Sequence, residues 1–219
     1  MLKLKAVFFD IDNTLFPTRD FTELARKGAI KAMVKEGLPF SEKRAYSELL
    51  RVVKKYGPNY PKHFDRLLER LGTGYDPKLI AAGVIAYHEA KGRLAPYPDV
   101  PPTLRALRRK GLRLYALSRG VDIKQWDKLI RLNLHPLFNG VFVTDAKTTA
   151  FYRSVLRRLK LQPDEAVMVG DCPRIDVIPA KKAGITAIHL LKGKHAHDPD
   201  GRKADFRIKS MRELLVVLR

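Results

Sequence analysis

A single cysteine, Cys172, occurs in 219 residues. No disulfide can therefore close within the chain, and a reducing, cytoplasmic setting is expected. Long apolar runs are missing too. The longest uncharged apolar stretch, Leu79 to Tyr87, falls far short of a bilayer span, so no membrane association is expected. The opening Met1-Leu2-Lys3-Leu4-Lys5 lacks the separate apolar region and cleavage site of a signal peptide. There is no GxGxxG and no P-loop, so a nucleotide cofactor is not expected. Amides are scarce, with four Asn and two Gln beside abundant charge, a composition that hints at a thermophile. Acidic charge is in short supply: 43 Lys and Arg face 23 Asp and Glu, leaving +20. Such an excess can serve nucleic acid or small anionic substrates, or can simply solvate a surface. The cations are spread along the chain, and no basic tail or arginine–aromatic interleave gathers them. Arg108-Arg109-Lys110 and Arg157-Arg158 fall on expected outer helix faces. A solvated surface is the favoured reading, and nucleic acid is not an expected partner.

What is present fits a soluble globular protein, with 45% apolar and 30% charged residues. Five short apolar runs read as buried parallel strands: Ala6–Phe9, Leu112–Leu117, Val141–Val143, Ala166–Val169 and Ile185–Leu190. Helical patterns separate the last four. Asp99 is expected to cap one helix, with Leu104 and Leu107 on its inner face. Ile123, Trp126 and Ile130 are expected to form the inner face of the next, and Phe151, Val155 and Leu159 that of a third. A short strand at Phe206–Ile208 and a helix over 211–218 close the chain. Alternating strands and helices imply an α/β fold, a three-layer Rossmann-like parallel sheet with right-handed crossovers. The first strand breaks the rhythm. Four helices, over 21–35, 42–55, 62–71 and 78–91, follow it before the next strand, with Gly or Pro between them. The expected organisation is a core of residues 1–15 and 95–219 with an inserted helical cap at 16–94. Leu94-Ala95-Pro96-Tyr97-Pro98 would be the hinge.

In a parallel α/β sheet, chemistry gathers past the carboxyl ends of the strands. Here those ends read Asp10-Ile11-Asp12-Asn13-Thr14, then Ser118-Arg119-Gly120, then Thr144-Asp145 with Lys147 beyond. The fourth reads Gly170-Asp171, followed by Asp176. Four carboxylates, a hydroxyl and one or two cations would meet at one edge, a set suited to phosphoryl transfer. A carboxylate can attack phosphorus, and a hard cation on oxygen ligands lets two anions approach. A second carboxyl can protonate the leaving oxygen and later activate water. A hydroxyl and a lysine can hold the phosphoryl oxygens.

Phe8-Phe9-Asp10-Ile11-Asp12-Asn13-Thr14-Leu15 resembles the first motif of the haloacid dehalogenase superfamily, DxDxT after an apolar strand. Ala116-Leu117-Ser118 resembles its second motif, Lys147 its third-motif lysine, and Val169-Gly170-Asp171 with Asp176 its fourth, GDxxxxD. The approach Tyr97-Pro98-Asp99-Val100 and the tail Ala204-Asp205-Phe206 are similar as well, so the resemblance spans essentially the whole chain. The helical block falls where subfamily I carries its C1 cap. The resemblance implies an Mg²⁺-dependent phosphatase of small phosphomonoesters that acts through an aspartyl-phosphate. Asp10 would be nucleophile and metal ligand. Asp12 would be general acid/base and a ligand through its backbone carbonyl. Asp171 would ligate the metal, with Asp176 assisting or orienting Lys147. Ser118 and Lys147 would bind the phosphoryl group and Thr14 would support the loop. Two positions depart from the pattern. Arg119 stands where the family has Asn, either to contact an anionic substrate or to point to solvent. Thr148-Thr149 follows Lys147 where the family has Pro, in a shortened segment.

Blander readings stand beside these. Each aspartate taken singly could be a helix cap; three at both spacings are not expected from caps alone. His195-Ala196-His197-Asp198 has no partners in sequence for a zinc site, His189 reads as a strand residue, and Cys172 as a small buried one. The enzyme alternative is a 2-haloacid dehalogenase, which needs neither metal nor Asp12. The non-enzyme alternative is a basic RNA-binding protein on the same fold. The substrate is not readable, and the chain is expected to be a monomer or homodimer.

Overall fold

Four consecutive apolar residues, Ala6–Phe9, form the first strand, β1, and all four are buried. The computed structural model describes residues 4–218; the opening Met1 to Lys3 of the expected run into this strand lie outside the described residues. The other strands are β2 (Arg113–Arg119), β3 (Gly140–Thr144), β4 (Ala166–Gly170), β5 (Thr186–Leu190) and β6 (Phe206–Ile208). They make one six-stranded sheet in the order β3-β2-β1-β4-β5-β6, with every pairing parallel. A parallel sheet needs both faces covered, which is why β1 and β4 are apolar without interruption. The strand order reverses beside β1. The chain runs outward through β2 and β3, then returns to build β4, β5 and β6 on the other side. A switch point of this kind leaves a crevice at the carboxyl ends of β1 and β4.

The register carries the chemistry to one edge. Phe9 pairs with Ala116 on β2 and with Val169 on β4. Asp10 therefore emerges level with the ends of both neighbours, and its N–H donates to the Val169 carbonyl at 2.9 Å. On one face of the sheet, Phe8, Tyr115, Leu117, Met168 and Ala187 pack with Tyr152, Val155, Leu156, Ala180 and Ala183. The Phe8 and Tyr115 rings meet edge to face, 5.9 Å apart. Tyr152, Val155 and Leu156 come from α7 (Thr149–Leu159) and Ala180 from α8 (Ile178–Lys182), with Ala183 just past the end of α8. The other principal helices of this unit are α5 (Val100–Arg109), α6 (Asp122–Arg131) and the short closing α9 (Leu214–Val217).

Four helices lie between β1 and β2: α1 (Thr18–Lys35), α2 (Glu42–Tyr56), α3 (His63–Leu71) and α4 (Pro77–Lys91). Backbone contacts divide the chain into two units. One takes the described residues up to Thr18 and from Ala95 onward; the other is Arg19–Leu94. The second unit has its own core, including Ile30, Met33, Leu49, Leu67, Leu68 and Leu79. Its helices are punctuated as their sequences require. The Ser41 hydroxyl accepts the Arg44 N–H to start α2, and Asp76 accepts the Leu79 N–H to start α4, where Pro77 costs nothing in the first turn.

Three expectations need correction. Ile123, Trp126 and Ile130 do not face inward; they are 80%, 42% and 56% exposed, while Gln125 and Leu129 are the buried residues of α6. The apolar residues have the spacing of an inner face, but the buried stripe of this helix is partly polar. Asp99 does not cap α5 with its side chain. Its carboxylate instead accepts the Met211 N–H at 2.7 Å and so ties in the C-terminal segment. That segment begins as a tight 3-10 turn, Met211–Glu213, before α9, and is not one continuous helix.

Candidate active site

The residues after β1 fold back at once. Leu15 N–H donates to the Ile11 carbonyl, Asp12 and Phe16 form an isolated bridge, and Asn13 takes a left-handed φ of 59°. Asn is among the few residues that accept this conformation at low cost. The turn presents Asp10, Asp12 and Thr14 at the crevice in different directions.

Thr14 is fully buried and does two jobs. Its hydroxyl donates to Asp10 Oδ2 at 3.2 Å and accepts the Asp171 N–H at 3.1 Å. One hydroxyl thus fixes the ends of β1 and β4 against each other. Lys147 is 5% exposed, and its ammonium reaches both Asp10 Oδ1 and, at 2.8 Å, Asp176 Oδ1. The other oxygen of Asp176 accepts the Cys172 N–H at 3.1 Å. Asp176 sits in a wide π turn, Pro173–Val177, that folds its carboxyl back over β4. A Cβ on Gly170 would coincide with that carboxyl, so only glycine fits there.

Thr148 stands where the family pattern has proline, and its hydroxyl accepts the Phe151 N–H at 3.2 Å, capping α7. The lysine is the residue just ahead of that cap and turns inward from it. Ser118 is buried at the end of β2, two residues past the partner of Phe9. Arg119, the last residue of β2, is exposed.

Oxygens of Asp10, Asp171 and Asp176 lie within 4.8 Å of one another. The donor set suits a hard divalent cation, being anionic and all oxygen. Asp171 Oδ2 is buried with no hydrogen-bond partner, which is costly unless something fills the place. Three carboxylates also face a single ammonium. Burial first, and repulsion by neighbouring carboxylates, push Asp10 up to about 7, although Lys147 pulls the other way. Burial, then Asp10 and Asp176, push Asp171 up to about 8. Burial opposes the charge on Lys147, but Asp10 and Asp176 outweigh it and hold the ammonium well above its ordinary range. The residues therefore fit a cation of charge two.

Asp12 lies apart from this cluster, with its side chain 31% exposed. Its Oδ1 accepts the Thr18 hydroxyl at 2.8 Å and Lys128 at 2.6 Å; its Oδ2 accepts Lys128 at 2.7 Å. Neither Thr18 nor Lys128 stood out in sequence. Lys128 lies in the polar stripe of α6 with Gln125, so an inward-facing i, i+3 polar pair was the available signal. His189 has a supporting place as well. It is fully buried, and its Nε2–H donates to the Asp171 backbone carbonyl at 3.0 Å. Burial holds the ring below its ordinary range and so neutral. His195 and Asp198 approach each other at 3.5 Å, and among the described residues they gather no third ligand.

A family model described as haloacid dehalogenase-like hydrolase matches residues 4–184. The chain belongs to this family. Curated relatives extend the similarity over nearly the full length of this hydrolase. One, from Methanopyrus kandleri, is named glyceraldehyde 3-phosphate phosphatase; it is 44% identical, and the match covers 99% of this chain and 97% of the relative. A protein of the same name from Methanocaldococcus jannaschii is 38% identical over 99% of this chain and 97% of its own. Among solved structures, a HAD phosphatase from Thermococcus onnurineus superposes with a TM-score of 0.70 at 26% identity, covering 98% of each chain. In this hydrolase, then, the residues that resemble the four motifs fall at the carboxyl edge of one sheet. Among the described residues, no helix is long and apolar enough to cross a membrane.

Proposed function

We propose that this hydrolase is an Mg²⁺-dependent phosphatase of small phosphomonoesters, with glyceraldehyde 3-phosphate as the first substrate to test. The observation that carries the reading is the three-carboxylate cluster with Lys147, combined with a separately held Asp12. A dehalogenase has no use for the cation seat or the second acid, whereas stepwise phosphoryl transfer uses both. The identity to relatives named for glyceraldehyde 3-phosphate supports the substrate.

Asp10 attacks phosphorus. As its O–P bond forms, the bond to the leaving oxygen breaks, and Asp12 supplies that oxygen with a proton. Asp12 then takes a proton from water as the water attacks the aspartyl-phosphate. Inorganic phosphate leaves and Asp10 is restored. Lys147 and Ser118 hold phosphoryl oxygens, and Arg119 offers a further cation at the rim. Mg²⁺ held by Asp10, Asp171 and the Asp12 backbone carbonyl, with Asp176 assisting, would neutralise charge between nucleophile and phosphate. The Arg19–Leu94 unit is the cap in this reading and selects the substrate. The chain leaves the core at Thr18, whose hydroxyl is bonded to Asp12.

Purified protein is expected to release phosphate from glyceraldehyde 3-phosphate and p-nitrophenyl phosphate with Mg²⁺, and to stop on chelation. Inactivity on a broad phosphoester panel with Mg²⁺ sinks the proposal. Chloride release from chloroacetate without metal replaces it with the dehalogenase.

Stability should report the cation independently of turnover. Asp10 and Asp171 have folded values, about 7 and about 8, above the ordinary 3.8. Below about pH 4 they are protonated in both states and cost nothing; as pH rises from about 4 the unfolded state ionises first, and the penalty on the folded state grows until it is complete above about 8. A divalent cation binds the ionised form and removes that penalty. The gain in thermal midpoint from Mg²⁺ is thus expected to grow from pH 5 to pH 8, over and above the ordinary rise in metal affinity as free carboxylates ionise near pH 4. A gain already complete at pH 5 contradicts the arrangement.

A further inference from the structure

The geometry points to Lys128 as the residue that positions Asp12 for proton transfer, leaving one oxygen, Oδ2, open to the reacting ester. This deepens the phosphatase reading and rests on it. A carboxylate offers about four acceptor sites, two on each oxygen. Oδ1 of Asp12 uses both of its sites, on the Thr18 hydroxyl at 2.8 Å and on Lys128 at 2.6 Å. Oδ2 uses one, on Lys128 at 2.7 Å. The Thr18 hydroxyl accepts the Asn13 N–H at 3.2 Å, so its own hydrogen is directed at Asp12.

Lys128 is equally committed. Its three N–H donors go to Asp12 Oδ1, Asp12 Oδ2 and, at 3.1 Å, to Gln125 Oε1. Gln125 is 4% exposed, and its amide donates to the Arg119 carbonyl at 3.0 Å. A continuous chain of bonds therefore runs from the end of β2 through Gln125 and Lys128 to Asp12, and on through Thr18 to the turn after β1. It fixes the rotation of the carboxyl at both ends. This also accounts for the inward polar stripe of α6 and for the outward Ile123, Trp126 and Ile130. The helix spends its buried face on holding Asp12. The lysine touches neither phosphorus nor the nucleophile, so its role is positioning.

A merely structural lysine and a positioning one differ in how their loss depends on the leaving group. Nitrophenolate departs without a proton, whereas an alkoxide needs one, and kcat/KM reports the step in which it leaves. Lys128→Met should cut kcat/KM for glycerol 3-phosphate or glyceraldehyde 3-phosphate about 10- to 100-fold. For p-nitrophenyl phosphate the loss should stay within about threefold. Lys128→Arg should recover most of the difference. Gln125→Leu, which frees the lysine from its tether, should show the same selectivity to a smaller extent and serves if Lys128→Met does not fold. Equal losses on both esters, or no loss on either, overturn the inference while wild-type turnover leaves the phosphatase reading standing. Wild-type protein inert on both esters brings down that reading and the inference with it.

Discussion

Asp10→Asn should lower phosphomonoester turnover about 10⁴-fold or more while raising thermal stability at pH 8. The loss follows from chemistry: the amide keeps the shape and the contact with Thr14 but cannot attack phosphorus. The gain follows from the surroundings. Asp10 is buried, and its neighbours Asp176 and Asp12 oppose its charge, so its value stands at about 7 despite the lysine. An ionised Asp10 therefore weakens the metal-free fold above that pH, and Asn removes the weakness. Below about pH 4 the carboxyl is already protonated in both states, so the variant should have no such advantage there. Melting curves of chelated protein at pH 4 and pH 8, beside a phosphate-release assay, check both halves. Residual activity above about 1% of wild type, or destabilisation at pH 8, contradicts the role given to Asp10.

The strands and their polar ends were legible in sequence because buried parallel strands leave an apolar run that stops abruptly. Ala6–Phe9 matched to the residue. Asp10 and Asp171 were legible together because the adjacent parallel strands β1 and β4 end level in register, and Asp176 because it follows Asp171 by five residues; oxygens of the three do lie within 4.8 Å of one another. Lys147 lies directly ahead of the N-cap Thr148, whose hydroxyl accepts the Phe151 N–H and starts α7. What was not legible lies in α6. An apolar stripe at helical spacing is ordinarily core, and Ile123, Trp126 and Ile130 have that spacing. The rule failed because the inward face of α6 serves a carboxylate 116 residues earlier in the chain. Contacts of that separation leave no local pattern. Asp99 failed for a similar reason: its side chain answers to Met211, 112 residues away, and not to its own helix.

Lys147→Met should cost both activity and folding, in contrast to Asp10→Asn. The ammonium is almost wholly buried between Asp10 and Asp176. Removing it leaves two carboxylates in a low-dielectric site with no cation between them. Breaking a buried pair from one side costs about 3–5 kcal/mol, far more than an exposed one. Asp176 also loses the partner that holds its Oδ1 and keeps the Cys172 N–H on its Oδ2. Phosphoryl charge would lose a donor aimed at it, which costs about 10²- to 10³-fold in kcat. Part of the folding loss should return on adding Mg²⁺, because the ion supplies positive charge to the same carboxylates. The lost turnover should not return, because the ion cannot stand where the ammonium meets the phosphoryl oxygens. Chemical denaturation with and without Mg²⁺, together with kcat at saturating metal, separates the two. Full recovery of kcat at high Mg²⁺ would show that Lys147 serves only to balance charge in the fold.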